Sequence, residues 1–306
     1  MTSETYTLPE NLARLRGTVG VWTPTADLTS AKETGALAER VERAGFSAMW
    51  IPEAWGREAF TNAGLLLAGS HSLVIATGIA NIWGRDPVAA AAASKTLNAA
   101  YDDRFVLGLG VSHQPLVEGL RGHQYAGPVA AMRAYLSAMD AAPNFSSEGR
   151  LRFSKVIAAL GPKMLEAGAE LADGVHPYLV TPEHTATARA AMGPTKFVGV
   201  EQAVVLGQSR DVFLERAHAY LEIYTGLDNY RNSWRRLGFT DEDFVRGGSE
   251  RLCDALVIHG DESKIMAGVK EHFEAGADHV CLQFLSDNMR TSPFEDWDRV
   301  GAGLTK

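Results

Sequence analysis

Short apolar runs alternate along the chain with longer segments whose apolar positions recur every three or four residues. The short runs are rich in β-branched and aromatic residues and end at Pro, Gly or polar positions, which is typical of buried strands. The longer segments predict amphipathic helices. Strands are predicted at residues 18–22, 46–51, 73–82, 104–109, 155–160, 174–180, 195–206 and 278–285. This alternation favours βαβ units and a parallel sheet.

Capping residues mark the helix boundaries. Asp86 supplies an N-cap side chain directly before a first-turn proline. Gly45 and Gly276 each close a helix that leads at once into a strand, in a repeated helix–Ala-Gly–strand order. Helices are predicted at residues 31–44, 58–69, 86–100, 129–142, 163–172, 182–192 and 262–275, with a closing helix from residue 293. Eight strands separated by helices fit a (β/α)8 TIM barrel better than a doubly wound sheet.

The segment 206–260 is longer than a minimal βα unit. It carries helical patterns of its own, so we predict a helical insertion between strands seven and eight. No Pro/Ser-rich linker interrupts the chain, and we predict one domain over residues 1–306.

Composition and charge exclude several classes of protein. A chain of 306 residues, 46% of them apolar, can bury a full core. The net charge of −8 argues against a nucleic-acid or anionic-membrane surface. Two cysteines cannot build a disulfide framework. Residues 1–16 lack the apolar segment of a secretory signal. No apolar run approaches the length of a membrane span. We therefore expect a cytoplasmic protein.

In a barrel of this kind the functional site lies at the carboxyl ends of the strands. Three of the six tryptophans fall there, and with Tyr178 they either form aromatic walls for a flat ring system or simply pack the strand ends. These candidates for a substrate pocket are Trp22, Trp55, Trp83 and Tyr178. Glu201 and Gln283 also fall at strand ends, without an assigned role.

Two glycine-containing elements are candidates for ligand contact. Gly108 and Gly110 form half of a dinucleotide fingerprint; alternatively, they let a ligand or a neighbouring backbone approach closely. The strand-to-helix turn at 161–163 exposes backbone N–H groups at a helix start, which suits a phosphate but is also an ordinary tight turn.

Two histidines also occupy predicted strand ends. His113 and His176 are candidates for a general acid or base because imidazole titrates near neutrality. No His or Cys pair and no carboxylate cluster has metal-binding spacing, so we expect no metal site.

Four segments in order resemble one family: residues 38–58, 76–87, 104–113 and 158–184. They are similar to the bacterial-luciferase-like superfamily, and specifically to its deazaflavin (coenzyme F420)-dependent oxidoreductases. The resemblance extends over about residues 17–205 and 255–290. It implies a (β/α)8 barrel that holds a flavin or deazaflavin at its C-terminal mouth.

The resemblance also implies positions for the cofactor. A bulge after the third strand, often containing a non-proline cis peptide, would back the ring and maps to residues 78–81. The end of the fourth strand would contact the ring and ribityl chain, and the loop after strand five would hold the phosphate. The implied cofactor residues are Ile79, Ala80, Asn81, Gly110, Val111, Ser112, Leu160, Gly161, Pro162 and Lys163.

The catalytic positions depart from the family pattern. In the deazaflavin dehydrogenases of this family, the second strand is commonly followed by an acidic residue and then His, and the fourth strand is followed by Glu. Here Glu53 fits, but Ala54 stands in place of the His and His113 in place of the Glu. Trp55 is a loose match to the family's tryptophan. We therefore assign His113 as the acid/base and place Glu53 near the ring.

The resemblance predicts hydride transfer between coenzyme F420 and a small organic substrate. The alternatives are an FMN-dependent monooxygenase and a flavin-binding protein without turnover. Family members often dimerise, so a homodimer is also implied. An anionic cofactor requires local positive charge, for which the predicted mouth loops offer Arg57, Arg85, Arg121 and Lys163.

Overall fold

The computed structural model describes residues 6–54, 56–143, 153–288 and 290–304, and parallel strands form its centre. The strands are β1 (Thr18–Trp22), β2 (Ala48–Ile51), β3 (Val74–Thr77), β4 (Ala80–Asn81), β5 (Phe105–Gly110), β6 (Lys155–Ile157), β7 (Gly174–Val175), β8 (Phe197–Leu206), β9 (Val257–Gly260) and β10 (His279–Phe284). The ring runs β1-β2-β3-β5-β6-β7-β8-β10, and β10 pairs with both β8 and β1. Closure through β10 confirms the predicted eight-stranded barrel.

Helices surround this ring and bury one face each against it. They are α1 (Glu10–Ala13), α2 (Thr34–Arg43), α3 (Ala59–Ala68), α4 (Pro87–Ala100), α5 (Pro128–Asp140), α6 (Pro162–Leu171), α7 (Pro182–Met192), α8 (Arg210–Leu221), α9 (Asp228–Arg236), α10 (Glu250–Leu256), α11 (Glu262–Glu274) and α12 (Phe294–Gly301). The Asp86 side chain caps α4 as predicted, accepting the N–H of Ala89 at 2.9 Å. Within the described residues, no helix is long and apolar enough to cross a membrane.

The structure corrects the predicted elements at three places. The run 73–82 is divided into β3 and β4 by a cis peptide between Gly78 and Ile79. The predicted loop after β5 contains a helical segment at Pro115–Leu120. Strand β9 was not predicted, because four residues between two helices are too short to show an alternating pattern.

The segment between β8 and β10 covers one side of the C-terminal mouth. Its helices α8, α9 and α10 form an apolar cluster with residues at the ends of the barrel strands. Trp234 of α9 is fully buried in this cluster, and its indole N–H donates to the carbonyl oxygen of Leu179 at 3.2 Å. These helices therefore form part of the mouth wall.

Polar aromatic side chains fill part of the barrel interior. Trp50 stacks on His176 with ring centroids 4.3 Å apart, and its indole N–H donates to Nε2 of His279 at 3.2 Å. Burial lowers the pKa of His279 to about 3 and that of His176 to about 4. Both imidazoles are therefore neutral, and the interior carries no charge at this level.

Replacing Trp50 with Ala should lower the free energy of unfolding by about 3–5 kcal/mol, because it empties a large buried volume and removes the donor to His279. Urea unfolding measures the change. Val88→Ala on α4 is the control; Val88 is 44% exposed, and its loss should stay within about 0.5 kcal/mol. Equal effects of the two substitutions would contradict the packing described here.

Candidate functional site

The bulge between β3 and β4 contains the cis peptide that the resemblance implies, between Gly78 and Ile79. The bulge is held from the end of β2. The backbone N–H of Glu53 donates to the carbonyl oxygen of Ile79 at 3.1 Å, and the N–H of Asn81 donates to Oε2 of Glu53 at 2.8 Å. Two hydrogen bonds to one residue thus fix the bulge against the neighbouring strand.

Both carboxylate oxygens of Glu53 are engaged. Arg85 binds them in a two-pronged ion pair, and the N–H of Ala59 donates to Oε1 at 3.2 Å. The side chains of Glu53 and Arg85 are only 5% and 12% exposed. The structure thus shows Glu53 as an anchor of the bulge; its predicted catalytic role stays a prediction.

Glycines allow the end of β5 to approach this bulge. A Cβ at Gly108 would lie 1.8 Å from the carbonyl oxygen of Thr77, and a Cβ at Gly110 would lie 2.4 Å from Cδ1 of Ile79. Side chains at either position would clash with the neighbouring backbone or with the bulge. Of the two interpretations of Gly108 and Gly110, the close approach of a neighbouring chain segment is the one the structure shows.

The loop after β5 is tied to the mouth by aromatic side chains. Ser112 adopts a left-handed backbone conformation, with φ of +57°. The carbonyl oxygen of Val111 accepts the indole N–H of Trp83 at 3.0 Å, and that of Ser112 accepts the hydroxyl of Tyr125 at 3.3 Å. The predicted contact residues Val111 and Ser112 are thereby held in place, with Trp83 beside them.

His113 follows in the same loop and is partly buried. Its ring lies 5.9 Å from that of Tyr230 on α9. Burial lowers the pKa of His113, so its imidazole is neutral at neutral pH. A neutral imidazole can accept a proton, but it is a poor source of one.

The predicted phosphate site lies at the start of α6. Gly161 is the N-cap, Pro162 is the first helical residue and has no N–H, and no side chain caps the helix. The N–H groups of Met164 and Leu165 both donate to the carbonyl oxygen of Gly161 at 3.0 Å. Arg236 of α9 donates to the carbonyl oxygen of Leu160 at 3.0 Å, and its Nη2 is 3.9 Å from where a Cβ at Gly161 would stand. A guanidinium group beside a positive helix end is an arrangement that an anion would stabilise.

The other predicted cations are engaged elsewhere. Arg57 donates to four oxygen atoms on and around α2 and α3, including the Thr34 hydroxyl at 2.7 Å. Arg85 is paired with Glu53 and Glu58. Arg121 donates to the carbonyl oxygen of Ala54 at 3.4 Å. Positive charge near the α6 start therefore comes from Lys163 and from Arg236, which the sequence did not single out.

The predicted aromatic pocket is only partly assembled. The rings of Trp22 and Tyr178 lie 5.3 Å apart, and the Trp22 indole N–H donates to the carbonyl oxygen of Gly78 at 2.8 Å. Trp83 lies instead against His123, with ring centroids 6.0 Å apart. Trp55 lies outside the described residues.

A hydrogen-bonded cluster at the mouth was not predicted. The hydroxyl of Tyr178 donates to Oε1 of Gln283 at 2.8 Å and lies 2.8 Å from that of Tyr220. Tyr220 also reaches Glu201, a fully buried carboxyl group, at 3.4 Å. The sequence feature that could have indicated this cluster is Glu201, an acidic residue inside the apolar run 197–206. The tyrosines come from distant segments, and no local pattern connects them.

A separate cavity of about 240 Å³ lies beside β9, away from these residues. Gln202, His259, Lys264 and His272 are among its lining residues. The imidazole of His272 bonds to Thr185 and Gln202, both at 2.8 Å. Its polar lining is therefore already paired in part, and the bulge and the α6 start remain the candidate site.

Comparison with known families agrees with this geometry. The sequence model of the luciferase-like monooxygenase family matches residues 12–279. The chain belongs to this family. A protein of Mycobacterium tuberculosis named as a coenzyme F420-dependent oxidoreductase is 28% identical over 176 residues, which cover 48% of this chain and 51% of that protein. The chain spans about half the length of the curated relatives it matches.

Solved structures of luciferase-like proteins share the fold. An F420-dependent secondary alcohol dehydrogenase in complex with an F420–acetone adduct superposes with a TM-score of 0.71 at 13% identity, covering 94% of this chain and 98% of that chain. The EDTA monooxygenase of Chelativorans sp. BNC1 gives 0.72 at 12% identity, covering 95% and 93%. These identities establish the fold alone.

Replacing Glu53 with Gln should lower the free energy of unfolding by about 1–3 kcal/mol, because the charge-assisted hydrogen bonds from Arg85 and from the N–H of Asn81 are weakened, while Glu58 stays paired with Arg85. Chemical denaturation measures the change. Glu170→Gln, which breaks an exposed ion pair with Arg133, is the matched control and should leave the midpoint nearly unchanged. Wild-type stability in Glu53→Gln would contradict the anchoring role.

Proposed function

We propose that this luciferase-like barrel is a coenzyme F420-dependent oxidoreductase. Hydride transfer to or from a small organic substrate would take place at the C-terminal mouth. The observation that carries the proposal is the start of α6, which has no side-chain cap and lies beside the guanidinium group of Arg236. The F420-dependent relatives support this cofactor within a family that also contains monooxygenases.

The residues present fit a phosphorylated flavin-type cofactor. The start of α6 offers the positive end of the helix and the backbone N–H of Lys163, and the side chains of Lys163 and Arg236 add positive charge for the phosphate. In the proposal the ring is backed by the bulge and the end of β5. The proposed binding residues are Ile79, Ala80, Asn81, Gly110, Val111, Ser112, Leu160, Gly161, Pro162 and Lys163. When bound, a deazaflavin supplies hydride chemistry with little reactivity towards oxygen.

The protein's own part is to position the substrate and manage one proton. Trp22 and Tyr178 form a wall next to Gly78, and Trp83 closes the side of the β5 loop. His113, neutral through burial, is the proposed proton acceptor when the substrate is oxidised. Uncharged walls suit an uncharged substrate.

The second candidate is an FMN-dependent monooxygenase, which the matching family description favours. The α6 start would bind the phosphate of either cofactor. The distinguishing property is oxygen use, since only the monooxygenase couples oxygen consumption to substrate oxidation.

Separate titrations with F420, FMN and NADPH, followed by absorbance, test the proposal. We expect binding of F420, and no oxygen consumption when the reduced protein–F420 complex is exposed to air. FMN binding with substrate-coupled oxygen use would establish the alternative. Tight binding without any substrate-dependent change of the ring spectrum would identify a non-catalytic flavin-binding protein. Binding of none of the three would overturn the proposal.

Replacing Arg236 with Gln should weaken F420 binding by about 10–100-fold, because a charge-assisted hydrogen bond to the phosphate is lost. Fluorescence titration of the cofactor measures the affinity. Arg235→Gln is the matched control, since the neighbouring Arg235 contacts Asp241 instead. Equal affinities of the two variants would remove Arg236 from the phosphate site.

A further inference from the structure

Strand β8 brings a carboxyl group into the barrel interior. Glu201 is fully buried, and its Oε2 accepts the N–H of Leu179 at 3.0 Å. Burial, opposed by hydrogen bonds from Leu179 and Tyr220, raises the pKa of Glu201 to about 8. The group is therefore mainly protonated at neutral pH. In the protonated state Oε2 still accepts the Leu179 N–H, so the proton lies on Oε1. Glu201 then donates across the 3.4 Å contact in which its carboxylate accepts from the Tyr220 hydroxyl.

Hydroxyl groups continue from this carboxyl towards the mouth. The Tyr220 hydroxyl lies 2.8 Å from that of Tyr178, and the Tyr178 hydroxyl lies 3.1 Å from that of Tyr224. Gln283 accepts from Tyr178 at 2.8 Å and from Tyr220 at 3.1 Å. The sequence Glu201–Tyr220–Tyr178 is therefore an unbroken hydrogen-bonded path.

The outer end of this path lies at the predicted substrate pocket. The ring of Tyr178 is partly buried and contacts Trp22, whose indole N–H binds the carbonyl oxygen of Gly78. A proton delivered to Tyr178 thus arrives beside the bulge that the proposed function assigns to the cofactor.

The surroundings of Glu201 are uncharged. The groups that interact with Glu201 come from β10, α8, α9 and the segments between the elements: Cys281, Tyr178, Tyr220, Tyr224 and Tyr230. Gln283 contacts two of these tyrosines. Burial raises the pKa of the four tyrosines and of Cys281, so each is neutral at neutral pH. An anion in this position has no partner of opposite charge among these groups, which keeps a mobile proton on the path.

We propose that Glu201, Tyr220 and Tyr178 form a proton relay that serves an oxygen atom of an uncharged carbonyl or alcohol substrate. The inference rests on the proposed function, because transfer of a hydride to a carbonyl carbon leaves the oxygen in need of a proton. Tyr178 is assigned as the catalytic residue, because its ring contacts Trp22 of the predicted substrate pocket. Glu201 and Tyr220 act through it and are positioning residues.

The relay conserves protons at every step. In the reductive direction the O–H bond of Tyr178 breaks as the O–H bond of the substrate forms. Tyr178 takes the Tyr220 proton, and Tyr220 takes the proton from Oε1 of Glu201, which becomes a carboxylate. After product release, water returns one proton along the same path.

Infrared spectroscopy of the protein without cofactor tests the protonated state of Glu201. We expect a carboxylic-acid carbonyl band that disappears as the pH rises through about 8. Glu201→Gln should abolish this band, and Tyr220→Phe, which keeps the ring, should shift it. The control Glu170→Gln should change nothing. Absence of the band at neutral pH would overturn the relay.

Proton delivery is tested with 4-nitrophenol, an aromatic oxygen compound whose absorbance distinguishes phenol from phenolate. Bound beside Tyr178 in the wild type, it should stay protonated at pH values where the free compound is ionised. Glu201→Gln, Tyr220→Phe and Tyr178→Phe should each lower the apparent pKa of the bound probe by about one unit or more, a tenfold change in the protonated fraction. Glu170→Gln should match the wild type.

An unaltered probe spectrum in all variants, or failure of the probe to bind at Tyr178, would overturn the relay. A purely structural role for Glu201 would affect folding without changing the protonation of the probe. Neither measurement uses a cofactor, so they separate the relay from the proposed function. If F420 does not bind but the infrared and probe results are as expected, the proposed function is refuted and the relay is not. If F420 binds but the variants leave the probe spectrum unchanged, the relay is refuted and the proposed function is not.

Discussion

The ion pair between Glu53 and Arg85 is the interaction on which the candidate site depends. It lies between the ends of β2 and β4 and is nearly excluded from water. The same carboxylate accepts the N–H of Asn81, so the pair fixes the backbone of the bulge as well as two side chains. Glycines at 108 and 110 then allow β5 to approach the bulge closely. The geometry of the mouth follows from these contacts.

The ionisable side chains in the barrel interior are buried without a partner of opposite charge, and this determines their protonation. His176, His279 and Glu201 all lie inside the ring, and burial moves each pKa towards the neutral form. Local positive charge lies instead at the start of α6, from Lys163 and Arg236. The barrel thus combines neutral groups at this level of its interior with local positive charge at the start of α6, in a chain whose overall charge is −8.

Much of the fold could be predicted because a parallel barrel imposes a repeated local pattern. Strands buried on both faces produce continuous apolar runs, and in each helix between them the apolar positions recur every three or four residues. The elements that escaped prediction are those stabilised by distant partners. Strand β9 is four residues long and exists because β8 extends beyond β7 and offers it a free edge. The division of β3 from β4 likewise depends on Glu53, some twenty-five residues earlier in the chain.

Periodicity and capping predicted the barrel, its eight alternating strands and the helix that follows Gly161, because both act over a few residues. The position of the bulge came from the resemblance to a family. Which polar groups meet depends on the packing of distant segments. Glu53 became the partner of Arg85, Arg236 came to stand beside Gly161, and Glu201 joined three tyrosines from other segments. Such contacts join residues far apart in the chain, and the pKa of a carboxyl group depends on those neighbours and on burial.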